Sequence, residues 1–423
     1  MNWPGFKPLV TIKQITSYGR TFGPGLITGA SDDDPSGILT YLQAGVVLGF
    51  KSLWTMFLTV PLMFGIQEMC GRIGFVTRKG LVSLIKSHYS RSTLYFLTLI
   101  SVSVIVINIG ADLLAVGTVM EKLVGGNRML WLPLVAVFIL AATIFLSYRR
   151  FARILKWLSL SLIFYVITAF YMHLDWKGAV YATFLPGWDF SPSFVMLVAA
   201  IIGTTISPYL FFWQANEEAE EKGLSAAPNK VTRPEMEIIR RDTFGGMFFS
   251  NLAAWFIIAG ASQLAKSHGI SNIENFDQAA MILEPALGRF AYFVFALGII
   301  GTGLLAIPVL AGSVGYALAE IFGWQEGINK QFHHARGFYL AIVAATILGI
   351  LLTFRLDPVK LLIYTAVLYA LITPVLIFFI IKLGNNREIM GKYKNPGWSN
   401  FLGWATLFFT AFAAGAYLWV KIF

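Results

Sequence analysis

Three consecutive carboxylates, Asp32, Asp33 and Asp34, precede Pro35, Ser36 and Gly37, all inside an otherwise apolar run over 24–47. A central Asp costs a membrane-spanning helix roughly 2.5–3.5 kcal/mol even on insertion scales, so this group cannot face lipid. Pro35 removes an N–H from the helical ladder, and Gly29 and Gly37 loosen the backbone around it. Irregular backbone at membrane depth survives only where it lines a cavity or is packed in protein. The run over 193–216 carries a second interruption, Gly203-Thr204-Thr205-Ile206-Ser207-Pro208-Tyr209. Freed carbonyls, carboxylates and hydroxyls facing one another would make an oxygen-rich site. Such donors, without thiolate or imidazole, suit hard cations such as magnesium, calcium or manganese.

The elements that would hold these groups are membrane helices. The 423 residues are 57% hydrophobic and only 13% charged, about half the charged share of a soluble domain. The single Cys70 excludes internal disulfides and thiolate metal clusters. Eleven apolar segments reach spanning length: 24–47, 50–71, 93–120, 129–147, 154–172, 193–216, 244–265, 289–322, 337–354, 358–381 and 399–420. With the N-terminus inside, the inner connections hold 23 of the 32 Lys and Arg residues. That asymmetry predicts an inside N-terminus and an outside C-terminus, and it explains the +10 net charge without nucleic acid. The interrupted spans are the first and the sixth, the spacing of two inverted five-helix repeats with a substrate site between them. The expected organisation is an inner polar arm over 1–23, a first repeat over 24–172, a second over 193–381, and an extra helix over 399–423. No cleavable signal peptide is read in the polar arm.

The two interruptions resemble those of the NRAMP family of divalent-metal transporters. That family reads Gly-Pro-Gly, then Asp-Pro-Gly-Asn in helix 1 and Gly-Ala-Thr-Val-Met-Pro-His-Asn in helix 6. Here Gly23-Pro24-Gly25 is followed in register by Asp34-Pro35-Ser36-Gly37, and the helix 6 stretch runs Gly203 to Leu210. The resemblance implies an all-α integral membrane protein with a LeuT-type fold, two inverted five-helix repeats plus an eleventh helix. It also implies metal contact at Asp34, at Gly37 in place of the family's Asn, at Ser207 in place of its Met, and at the Thr204 carbonyl. Losing the thioether removes a preference for softer ions, and losing two long side chains enlarges the site. With Asp33 as an extra carboxylate, the pattern is similar to the NRAMP-related magnesium transporters. Magnesium, which keeps several waters, is therefore the expected substrate, with manganese also admitted.

The family's proton route implies little coupling here. Its helix 6 His positions are Tyr209 and Gln214, its helix 3 acidic pair is reduced to Asp112 with Ala115, and span 337–354 lacks Arg. Asp32, Ser36, Thr205, Tyr209, Gln214, Asp112 and Asn108 are expected around the site or along its pathway. Asn108 and Asp112, at i and i+4, belong either to an aqueous path or to a helix–helix hydrogen bond. Gln67 and Glu68 read as interfacial or inner-gate contacts, Asn251 as a polar tie between helices, and Glu217 with Glu221 as a solvated helix end or an exit vestibule.

Two other transport readings stay open: a proton-coupled manganese or iron importer, and a sodium-coupled organic-solute carrier of the same fold. No nucleophile–base pair, His cluster or phosphate loop supports an enzyme. No cofactor is expected beyond the transported ion, and no partner beyond that ion and the lipid bilayer. The expected location is a cell inner (plasma) membrane, spanned many times.

Overall fold

A computed structural model describes residues 23–146, 162–223 and 231–422 of the chain. Residues 1–22 of the polar arm expected over 1–23, the cations at 149–156 and the start of the fifth predicted span lie outside the described residues. Among the described residues the structure is helical, without strands. Nine helical stretches among the described residues are long and apolar enough to cross a membrane.

The first predicted span is two helices, α1 (Pro24–Asp32) and α2 (Pro35–Leu48). Next come α3 (Leu53–Thr77), the short α4 (Leu81–His88), α5 (Arg91–Val124) and α6 (Arg128–Phe145). The described part of the fifth span is α7 (Ile163–Tyr171), followed by α8 (Trp176–Phe184). The sixth span is likewise split, into α9 (Pro192–Thr205) and α10 (Pro208–Gly223). Five long helices follow: α11 (Arg233–His268), α12 (Ala291–Phe322), α13 (Arg336–Thr353), α14 (Pro358–Asn385) and α15 (Gly397–Ile422).

Most boundaries fall where hydropathy places them. The largest departures are three: α3 runs to Thr77 rather than ending near 71, α10 runs to Gly223 rather than ending near 216, and α11 begins at Arg233 rather than near 244, absorbing the charged run up to Asp242. Its start is set by a capping box, in which Thr232 caps the Glu235 N–H and Glu235 accepts from the Thr232 N–H (2.8 Å). Local capping chemistry thus extends a helix past the point where apolar periodicity ends.

The broken helices are clamped by their neighbours. α1 lies against α11 backbone to backbone, since a Cβ at Gly29 would overlap Gly246. The carboxylate of Asp242, on α11, accepts from the Gly25 N–H (2.7 Å) and the Leu26 N–H (3.3 Å), supplying partners that the first turn of α1 lacks. Asn251 accepts from Thr59 (2.6 Å), tying α11 to α3 as expected of interhelical polar contacts. The outer surface is apolar: Val137 and Phe138 on α6, Leu351 on α13, and Phe401, Phe408 and Trp419 on α15 are exposed. An exposed apolar surface with the polar groups buried is the arrangement a bilayer requires.

Candidate functional site

The first break is a cap. Asp34 has extended backbone, Pro35 opens α2, and the Asp34 carboxylate accepts from the Gly37 N–H at 2.6 Å. Asp followed by Pro at the first helical position is a favoured helix start, so the residues that interrupt the span also restart it. The other carboxylate oxygen of Asp34 accepts from Asn108 Nδ2 at 2.9 Å, reaching across to α5. Asp112 follows one turn later on the same buried face of α5, and no hydrogen-bond donor is in bonding geometry with its oxygens among the described residues.

The acidic triplet divides at the break. Asp34 turns toward α5, while Asp32 and Asp33 turn toward α11. There the Ser250 hydroxyl lies 2.8 Å from Asp32 Oδ2 and 3.2 Å from Asp33 Oδ1. One hydroxyl proton can serve only one of these two oxygens at a time. Ser36 anchors the start of α2 to α14, donating to the Leu362 carbonyl (2.8 Å) beside the Thr365 hydroxyl (3.1 Å).

The second break ends α9 at Thr205 and restarts at Pro208. The Ser207 hydroxyl folds back to donate to the Thr204 carbonyl (2.5 Å), with the Gly203 carbonyl at 3.2 Å. Its lone pairs stay available as acceptors. The two breaks meet. A Cβ built on Gly37 would lie 3.3 Å from the Asp32 carbonyl and 3.4 Å from Thr204 Oγ1. Tyr41 of α2 pairs with Thr205 (3.2 Å), and Tyr209 of α10 donates to the Ser31 carbonyl of α1 (2.7 Å). Gln214 lies further along α10, accepting from Thr28 (2.5 Å) and donating to Glu218 (3.1 Å). It therefore extends the polar line away from the breaks toward the end of α10.

Every residue expected at or around the site is buried, and the structure gathers seven of the twelve in two groups, while Ser36 faces α14, Gln214 lies further along α10, and Thr205, Tyr209 and Asp112 flank the breaks. Gly37, Thr204, Ser207, Asp34 and Asn108 gather where α2, α9 and α5 meet. Asp32 and Asp33 join Ser250. The hydropathy reading missed Ser250, Thr365 and the cap at Asp242. Ser250 stands next to Asn251 in an apolar stretch, and that polar pair was the available signal. Thr365 had none, since a lone Thr in a membrane helix is ordinary.

The electrostatics follow from burial. Asp32, Asp33, Asp34 and Asp112 are each at most 4% exposed. No Lys, Arg or His forms an ion pair with any of them among the described residues. The buried cation nearest in sequence, Arg72, is engaged by Glu68 at 3.1 Å and by Asn395 and Ser399, each at 2.9 Å. Among the described residues, no three His, Cys, Asp or Glu side chains are grouped to hold a metal ion. An ion at the breaks would take carbonyl, hydroxyl and water oxygens besides a carboxylate.

A family model described as "Natural resistance-associated macrophage protein-like" matches residues 25–420. The chain is 27% identical over 407 residues to the divalent metal cation transporter MntH of Klebsiella pneumoniae subsp. pneumoniae, covering 90% of each. It superposes on a crystal structure of a mutant Eremococcus coleocola manganese transporter with a TM-score of 0.75 at 14% identity, over 97% of this chain and 87% of that one. MhsT in complex with L-phenylalanine gives a TM-score of 0.61 at 14% identity, over 94% of this chain and 97% of that one. These superpositions establish the shared helical fold.

Proposed function

Since the chain belongs to the Nramp family, we propose that it carries divalent metal cations, magnesium above all and manganese also, across a cell inner (plasma) membrane. The ion is held, still partly hydrated, between the breaks of the first and sixth spans. Asp34 supplies the charged oxygen. Ser207, the Thr204 carbonyl and the backbone at Gly37 complete the cage, while Asp33 and Asp32 hold water from the α11 side. Ser36, Thr205, Tyr209, Gln214, Asn108 and Asp112 orient these groups or line the approach. The eleven-span topology, with an inside N-terminus, belongs to the same proposal.

The observation that carries this reading is the set of buried carboxylates with no cationic side chain paired to them among the described residues. Such a group in a membrane interior is stable only with a bound cation or a proton. The oxygen-only character at Ser207 supports a hard, reluctantly dehydrating ion over a softer one. None of the five His residues lies in a predicted span, so no imidazole is built into the route as a proton carrier. Transport is then driven by the membrane potential, worth about 4.6 kcal/mol per 100 mV for a divalent ion.

A second reading, a proton-coupled manganese importer, draws on Asp112, buried one turn beyond Asn108. One experiment separates the two: magnesium and manganese flux into proteoliposomes under an inside-negative potential, with a pH dye inside. Magnesium entry at constant internal pH supports the proposal. Manganese entry with acidification and no magnesium entry sinks it.

A further inference from the structure

A cleft of about 610 Å³ opens between α3, the start of α11 and the connection from α14 to α15. Arg72, Arg233, Arg240, Lys392 and Lys394 line it. They come from three of the cation-rich segments that the charge asymmetry places on one side of the membrane. Two carboxylates stand against them, and both are engaged. Glu68 pairs with the buried Arg72, and Glu237 is shared by Arg240 (3.1 Å) and Arg241 (3.0 Å). Arg233, Lys392 and Lys394 make no ion pair among the described residues. The cleft thus keeps a clear positive excess.

An aromatic wall leads out of it. The Arg240 guanidinium lies 5.0 Å above the Trp398 ring. Trp398 stacks on Phe64 at 5.6 Å, and Phe64 meets Phe244 edge-on at 5.5 Å. Phe244 is 46% exposed, at the point where α11 passes from its charged start into its apolar run. A cation-lined cavity beside Trp and Phe at that boundary matches the two ends of an anionic lipid, phosphate and acyl chain.

We propose that this cleft binds a phosphate-bearing anion, and that its source is the headgroup of an anionic phospholipid whose acyl chain lies along Phe64 and Phe244. Arg233, Lys392 and Lys394 are exposed, and the one ring contact among them is Lys392 Nζ 5.1 Å from the Tyr393 ring of the same cleft, so among the described residues their charges have no carboxylate partner and can meet a phosphate. A soluble phosphate would use the cations and leave the aromatic wall bare.

The test is the thermal unfolding midpoint of the full chain in detergent, with phosphatidylglycerol, phosphatidylcholine or inorganic pyrophosphate added. It is run on the wild type and on the triple variant Arg233→Gln, Lys392→Gln, Lys394→Gln. Phosphatidylglycerol should raise the wild-type midpoint by about 3 °C or more over phosphatidylcholine, and the variant should lose most of that shift. Native mass spectrometry of the wild type should show phosphatidylglycerol retained over phosphatidylcholine, a readout independent of how the variant folds. A shift with pyrophosphate but not with phosphatidylglycerol keeps the phosphate chemistry and overturns the lipid as its source. Equal responses to both lipids and none to pyrophosphate, or a phosphatidylglycerol shift undiminished in the variant, overturn the proposal.

Discussion

Asp34 does two things at once, and two substitutions separate them. Its carboxylate caps α2 through the Gly37 N–H (2.6 Å), and its charge is available to a passing cation. Asp34→Asn keeps a good capping side chain and the same size but removes the charge. Asp34→Ala removes both, costing about 0.5–2 kcal/mol for the lost cap. It also strands Asn108 Nδ2, at a further cost of about 1–3 kcal/mol for a buried donor without a partner. The charge can be sized separately. A divalent ion about 4 Å from a carboxylate gains about 2 kcal/mol if water screens the pair fully and about 8 kcal/mol at an effective dielectric of 20. Even the lower figure is about a thirtyfold loss of affinity when the charge goes. Asp34→Asn should therefore unfold close to the wild-type temperature yet bind magnesium at least about thirtyfold more weakly, as read by calorimetry and flux. Asp34→Ala should lose both binding and several degrees of stability. The reasoning is refuted if Asp34→Asn retains flux within about threefold of wild type while Asp34→Ala does not. That result would make Asp34 a structural cap and place the ion elsewhere.

Other substitutions test the surrounding elements. Ser207→Met restores a thioether beside the Thr204 carbonyl and should shift competition in favour of manganese over magnesium by about tenfold or more, read from the two ions' flux ratio. Ser250→Ala removes the hydroxyl shared by Asp32 and Asp33 and should lower stability by about 1–3 kcal/mol, measured as a drop in the unfolding midpoint. Arg72→Ala leaves Glu68 buried without its cation and should cost about 3–5 kcal/mol, measured as a drop in the thermal unfolding midpoint. Glu326, in the connection after α12, is pushed up to about 9 by burial and by the nearby Glu320 and Glu220 charges. A carboxyl whose folded pKa is raised holds its proton in the folded state only. Its stabilising contribution is full below the ordinary carboxylate range and is lost as pH climbs toward 9. Glu326→Gln should flatten that part of the stability–pH profile and raise the midpoint at pH 8, while leaving pH 4 nearly unchanged.

Composition and pattern alone determined that this chain is a bundle of membrane helices and that two of them are broken. Apolar length, cation asymmetry and local chemistry are properties of short segments, so Asp34-Pro35 and Ser207-Pro208 announce their breaks without any partner. The same locality explains the largest boundary shift, where the Thr232–Glu235 capping box carries α11 past its apolar run. What the tertiary structure decided is direction. Three adjacent Asp residues look alike in sequence, yet Asp34 turns to Asn108 on α5 while Asp32 and Asp33 turn to Ser250 on α11. The meeting of Gly37 with Thr204, and the gathering of Arg72, Arg233 and Lys394 around one cleft, join residues far apart in the chain. Such neighbours are chosen by how helices cross, and crossing depends on close contacts such as Gly29 on Gly246, which no single segment encodes.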